Sequence, residues 1–111
     1  MARHQQFEIH SEIEAGRGLL MPAGELDIAT VPELDKAAQA LLSQGVSELM
    51  IDLSRVTFMD STGLRFLIGL HDEACEAGWT LGLLRPAEGP RALLQITGLD
   101  EHLPLIKDAV G

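Results

Sequence analysis

The chain contains no tyrosine, one tryptophan (Trp79) and one cysteine (Cys75), and its aromatic content is only 4%. So few rings cannot furnish a base-stacking surface, which argues against that mode of nucleic-acid recognition. A lone cysteine excludes an intrachain disulfide and suits a reducing cytosol. Basic residues are also scarce: 8 Lys and Arg stand against 17 Asp and Glu, a formal net charge of -9. That charge repels the phosphates that a binder of DNA, RNA or an anionic membrane must approach. Long apolar runs are missing too. Leu81–Leu84 is far short of the roughly 20 residues of a membrane-spanning helix, and the start Met1-Ala2-Arg3-His4-Gln5-Gln6 has no apolar signal core. The expectation is a cytoplasmic protein that meets neither nucleic acid nor membrane. The acidic excess is expected on solvated helix faces, with a complementary basic patch on a partner as the alternative.

What is present suffices for one core: 111 residues that are 46% hydrophobic. No repeat, low-complexity tract or linker interrupts them, so residues 1–111 are read as a single domain. Phe7, Ile9 and Ile13 partly alternate ahead of Gly16-Arg17-Gly18, and a second apolar run extends from Leu19 to Leu26. Together they predict a hairpin.

Thr30-Val31-Pro32-Glu33 has the spacing of a capping box with proline in the first turn. Leu34, Ala37, Ala38, Leu41 and Leu42 then recur at helical intervals up to Gly45, a candidate left-handed cap. The nearly continuous apolar run Leu49–Leu53 predicts a central strand covered on both faces. From Ser61 a helical stripe of Leu64, Leu67, Ile68, His71, Ala74 and Cys75 runs to Gly78. Thr80–Leu84 reads as a strand, Pro90–Ile96 as a short helix before Gly98, and Leu103–Val110 as a terminal helix or strand. The predicted order is β-β-α-β-α-β-α, and the class is α/β, with helices packed on a small sheet.

The segment from Met50 to Leu64 passes from the central strand through a predicted loop into the second helix, with Asp60-Ser61-Thr62-Gly63-Leu64 at its centre. Ser61 stands where the N-cap is expected, its hydroxyl accepting from free first-turn N–H groups. A phosphoryl group there would meet the positive end of the helix dipole, whereas Asp60 would repel the added charge. Gly63 either opens the first turn to close approach or lets the helix start sit tightly on the sheet. Leu64 and Phe66 are expected to add apolar area near that edge.

The run Val56-Thr57-Phe58-Met59-Asp60-Ser61-Thr62-Gly63-Leu64 closely resembles the phosphorylation-site motif of STAS domains, the bacterial anti-sigma factor antagonists. Gly24-Glu25-Leu26-Asp27 is similar to a second signature of that family, and Gly98-Leu99 with the following acids resembles its ending. The resemblance covers nearly the whole chain. It implies a non-enzymatic partner switch. The unphosphorylated domain binds an anti-sigma factor that is a serine kinase and so frees a sigma factor; phosphorylation ends the binding, and a PP2C-type phosphatase restores it. By carry-over Ser61 is the phosphoacceptor, while Asp27, Asp60, Thr62, Gly63 and Leu64 form the partner contact. No catalytic residue, cofactor or metal belongs to the domain, which is a monomer when free. The alternative is a STAS subunit of a larger assembly, a stress-signalling or lipid-transport complex. Arg65-Phe66 departs from the small residues many members carry after the leucine, which bears on the identity of the partner; Arg65 is expected to be solvated, with pairing to a Ser61 phosphate as the alternative.

Other constellations are weaker. His71 and Cys75 have a metal-pair spacing without a second pair, and are expected instead to be a hydrogen-bonded core histidine and a buried thiol. Ser61 lacks the G-x-S-x-G surroundings of a hydrolase nucleophile, Asp60 has no second aspartic-protease loop, and Gly82–Gly89 lacks the G-K-S/T of a phosphate loop.

Overall fold

Alternating apolar residues build the hairpin: β1 (Glu8–Glu14) and β2 (Arg17–Leu26) pair antiparallel. Ala15 and Gly16 join them with φ of 54° and 79°, the two left-handed residues that a tight hairpin turn matched to strand twist requires. The computed structural model describes residues 7–106; Met1–Gln6 lie outside them. The later elements are α1 (Val31–Leu42), β3 (Glu48–Asp52), β4 (Arg55–Met59), α2 (Ser61–Ala77), β5 (Thr80–Leu84), α3 (Glu88–Thr97), a 3-10 turn at Leu99–Glu101, and β6 (Leu105–Ile106). The fold is mixed α/β, as expected.

The long strand β2 organises the sheet. Its first half pairs parallel with β3 and its second half parallel with β4, with the register shifting between Gly24 and Glu25. Beyond β3 come β5 and β6, giving the order β1-β2-β3-β5-β6 with β4 beside β2. Every second residue of β2 from Gly18 to Leu26 is buried. Leu20, Leu26, Leu49, Ile51, Val56, Met59, Leu81 and Leu83 meet Leu34, Ala38 and Leu41 of α1 and Leu64, Leu67, Leu70 and Ala74 of α2 in one core cluster. α3 packs along β4.

The sequence-based order needs one insertion. Arg55–Met59 is a strand, not a loop, so the order runs β-β-α-β-β-α-β-α. Val56 and Met59 are buried while Thr57 and Phe58 between them are exposed; the shifted register breaks the two-residue alternation that would have signalled a strand. Other expectations change in detail. Thr30 does not cap α1 through its hydroxyl, which donates to the Glu25 carbonyl at 2.7 Å and accepts from the Asp27 N–H. β3 is central, but Met50 is only half-buried, so the strand is not fully covered on both faces. On α2, Leu70 joins the buried stripe while His71 is half-buried and Cys75 exposed. Gly78 and Gly98 end α2 and α3 with left-handed φ. In α1 the cap falls on Ser43, two residues before Gly45, which has φ 88°. The predicted terminal element contains β6, and its part beyond Ile106 lies outside the described residues.

Asp52, at the end of β3, is buried and tied to Ser54 N–H at 2.9 Å and Arg85 Nη2 at 3.0 Å. Burial alone would raise its carboxyl, but the Ser54 N–H and hydroxyl and the Arg85 guanidinium outweigh it and hold the group below its ordinary value of 3.8. A carboxyl lowered by folding stabilises the fold above its unfolded pKa, and that contribution vanishes as pH falls through the folded value. Asp52→Asn should therefore be less stable than wild type at pH about 6, with the gap narrowing as the pH falls below about 4. Urea unfolding across that range checks this; a gap that stays constant would remove Asp52 from the acid limb.

Candidate phosphorylation site and partner-binding edge

β2 and β4 run parallel and finish together, Leu26 opposite Met59. The Asp60 N–H donates to the Leu26 carbonyl at 3.4 Å, so the turn into α2 and the loop leaving β2 start side by side. The carboxyl ends of parallel strands are where α/β folds gather their binding loops.

Asp60, not Ser61, is the N-cap of α2. Its backbone is extended (φ -108°, ψ -169°), and its Oδ1 accepts from Thr62 N–H at 2.9 Å and Gly63 N–H at 3.3 Å. Ser61 becomes the first helical residue, with an exposed side chain. The Thr62 and Gly63 donors are thus already satisfied by a carboxylate, which corrects the expectation of free N–H groups awaiting a phosphoryl group.

Gly63 is buried against the sheet. A Cβ there would lie 2.7 Å from Met59 Cγ and 3.0 Å from the Leu26 carbonyl oxygen. Of its two sequence readings, tight seating of the helix is the one observed. Leu64 is 7% exposed and belongs to the core cluster, so it anchors α2 from below and presents almost no area to a partner, contrary to the expected contact role. Thr62 and Phe66 are half-buried. Arg65 is exposed and forms no ion pair among the described residues.

Asp27 is brought to the same edge, but its carboxylate is occupied. Oδ1 accepts from Ala29 N–H at 3.0 Å and Thr30 N–H at 3.2 Å, and Thr30 Oγ1 lies 3.3 Å away. It therefore shapes the loop. The consequence is a residue that sequence reasoning missed: Ile28, held at the loop apex, is 77% exposed. Its only signal is a large aliphatic residue between two turn-forming polar ones, Asp27 and Thr30.

On α2 the His71 Nε2 lies 4.0 Å from Cys75 Sγ, and His71 Nδ1 is buried with no hydrogen-bond partner among the described residues. The expected hydrogen-bonded core histidine and buried thiol are thus replaced by a half-satisfied imidazole beside an exposed thiol. No group of three His, Cys, Asp or Glu suited to a metal occurs among the described residues, and no described helix is long and apolar enough to cross a membrane.

Comparison with known proteins agrees with this architecture. The family model described as "Mlab, STAS domain" matches residues 10–107. The anti-sigma-B factor antagonist of Staphylococcus epidermidis is 35% identical over 78 residues, covering 70% of this chain and 72% of that protein. Among solved structures, an anti-sigma factor antagonist from Mycobacterium paratuberculosis superimposes with a TM-score of 0.81 at 28% identity, covering 94% of this chain and 88% of that one. The Bacillus cell fate determinant SpoIIAA in its phosphorylated form shares the fold, with a TM-score of 0.68 at 23% identity and 94% and 92% coverage. With the family model spanning nearly all of the sheet and helices described, the chain belongs to the STAS-domain family of anti-sigma factor antagonists.

Proposed function

We propose that this protein is a cytoplasmic anti-sigma factor antagonist whose binding is switched by phosphorylation of Ser61. The unphosphorylated domain binds an anti-sigma factor that is itself a serine kinase and thereby releases a sigma factor. Phosphate on Ser61 ends that binding, and a PP2C-type phosphatase restores it. The observation that carries the reading is the exposed Ser61 side chain directly after an N-cap aspartate whose carboxylate already occupies the Thr62 and Gly63 donors of the first turn. A hydroxyl there is accessible to a kinase, and a phosphate placed there gains little neutralisation from its own helix. The names of the relatives, antagonists of anti-sigma factors, support the same partner class, and the phosphorylated form known for SpoIIAA supports the modification.

The test is transfer of labelled phosphate from ATP in an extract of the source organism to wild type, Ser61→Ala and Thr62→Ala, with the site read by peptide mass spectrometry. Labelling lost only in Ser61→Ala is the expected result. No labelling while the kinase is demonstrably active would favour the reading as a subunit of a larger assembly.

Within this reading the partner meets the exposed Ser61 at the start of α2 and the Asp27–Thr30 loop, with Ile28 as the apolar anchor. A few fully desolvated side chains near the centre of an interface carry a disproportionate share of affinity. Ile28→Asp should weaken binding to the anti-sigma factor by about tenfold or more and leave the unfolding midpoint nearly unchanged, because the side chain is 77% exposed. Isothermal titration calorimetry and thermal unfolding separate the two effects; unchanged affinity would move the anchor elsewhere.

A further inference from the structure

Away from the Ser61 edge, β5 ends on Leu84, paired with Asp52 of β3 and Ile106 of β6. A cleft of about 620 Å³ opens there between the end of β5, α3 and β6. Two of the eight basic side chains of this acidic protein line it, Arg85 and Arg91, with Leu94, Leu105 and Ile106 as its apolar wall. Among the described residues Asp100 is the one carboxylate in the lining. Among the described residues each guanidinium is anchored on one side only: Arg85 Nη2 donates to Asp52 Oδ2 and Arg91 Nη2 to the Pro86 carbonyl, both at 3.0 Å. A guanidinium carries five N–H donors, so most of the donor capacity remains for something else.

The backbone adds an independent observation. Arg85 has φ 45°, a left-handed conformation that costs a non-glycine residue energy and that collects at binding sites. Nothing in the switch at Ser61 needs this conformation. It places a long cation, with 61% of its side chain exposed, at the mouth of a cleft outside the carboxyl ends of parallel strands, where α/β sheets receive small ligands.

We propose that this cleft binds a small organic anion, a carboxylate or phosphate monoester with a short apolar body, the head held by Arg85 and Arg91 and the body lying on Leu105 and Ile106. Paired guanidinium forks match the oxygens of either head group, and the exposed Ile106 gives the body an apolar surface to cover. Asp100 and the Asp52 partner of Arg85 offset part of the positive charge, which favours a head of low charge over a polyanion.

The experiment is a titration of the isotope-labelled full chain followed by amide NMR, with hexyl phosphate and hexanoate as probes and inorganic phosphate, hexanol and hexyltrimethylammonium as controls. Saturable shifts at Arg85–Arg91, Leu94, Leu105 and Ile106, with a Kd of about 1 mM, are the order expected for ligands this small. Whichever of hexyl phosphate and hexanoate binds more tightly identifies the head group. Arg91→Gln and Arg85→Gln should each weaken binding about tenfold, corresponding to loss of one charge-assisted contact. Arg91→Gln keeps the test valid should Arg85→Gln disturb Asp52. Equal binding of hexyltrimethylammonium or hexanol, equal binding of inorganic phosphate, unchanged affinity in both variants, shifts confined to the Ser61 edge, or no saturable shift would each overturn the proposal.

Discussion

Phosphorylated Ser61 protein should bind the anti-sigma factor at least about a hundredfold more weakly than the unmodified protein, with its sheet and helices unchanged. A phosphate adds a charge of about -1.5 to -2. At an unoccupied helix N-terminus the backbone donors would offset it. Here Asp60 Oδ1 already takes the Thr62 and Gly63 N–H groups, so the phosphate arrives beside an existing carboxylate. Buried in an interface without a partner cation, it costs several kcal/mol, and about 2.7 kcal/mol is already a hundredfold. Calorimetry of the stoichiometrically phosphorylated protein against the anti-sigma factor measures the loss, and amide NMR checks the unchanged fold. The local cause is testable as well. Asp60→Asn keeps a capping oxygen but removes the charge, so, measured against its own unphosphorylated affinity, it should shrink the loss caused by phosphate. Weakening that is unchanged in Asp60→Asn would assign the switch to charges on the partner instead.

Gly63→Ala should destabilise the fold by about 2 kcal/mol, while Gly69→Ala, on the same helix, should stabilise it by about 0.5–1 kcal/mol. Alanine is the better helix former at both positions, so propensity alone predicts two gains. Packing reverses the sign at Gly63. Its added carbon would press on the Leu26 carbonyl oxygen at 3.0 Å and Leu26 Cγ at 3.1 Å as well as Met59 Cγ. Met59 Cγ is near the root of a buried side chain and the Leu26 oxygen belongs to the strand backbone, so neither gives way readily. At Gly69 nothing lies within 4 Å of the added carbon. For a domain of this size the difference corresponds to melting points about 10–20 °C apart. Comparable stabilities for the two variants would mean that α2 can lift off the end of β2 at little cost. Because Gly63 lies two residues after Ser61, the same lift would displace Ser61 from the Asp27–Thr30 loop, and on the proposed function Gly63→Ala should lose partner affinity beyond its loss of stability.

Much of the fold could be read along the chain where one local rule dominates. The hairpin shows in the alternation around Gly16, and α2 in a helical stripe closed by Gly78, whose φ of 87° only glycine takes without strain. β4 could not be read in that way: between Val56 and Met59 its pairing register shifts against β2, and a shifted register leaves no alternation to detect. The one-residue displacement of the cap has a similar origin. Asp60 and Ser61 are both good N-cap residues, and the choice depends on which takes the extended backbone, set by the Asp60 N–H reaching the Leu26 carbonyl of another strand.

The sequence by itself determined the class, the acidic character and the family likeness, because composition, helical period and the Asp60-Ser61-Thr62-Gly63 run are local properties. Only the tertiary structure decided which of those residues face outward. Packing of α2 onto β2 and β4 turns Gly63 and Leu64 inward and leaves Ser61 and Ile28 exposed. The physical reason is that burial depends on contacts between segments more than thirty residues apart, such as Gly63 against Leu26, and no local pattern encodes them.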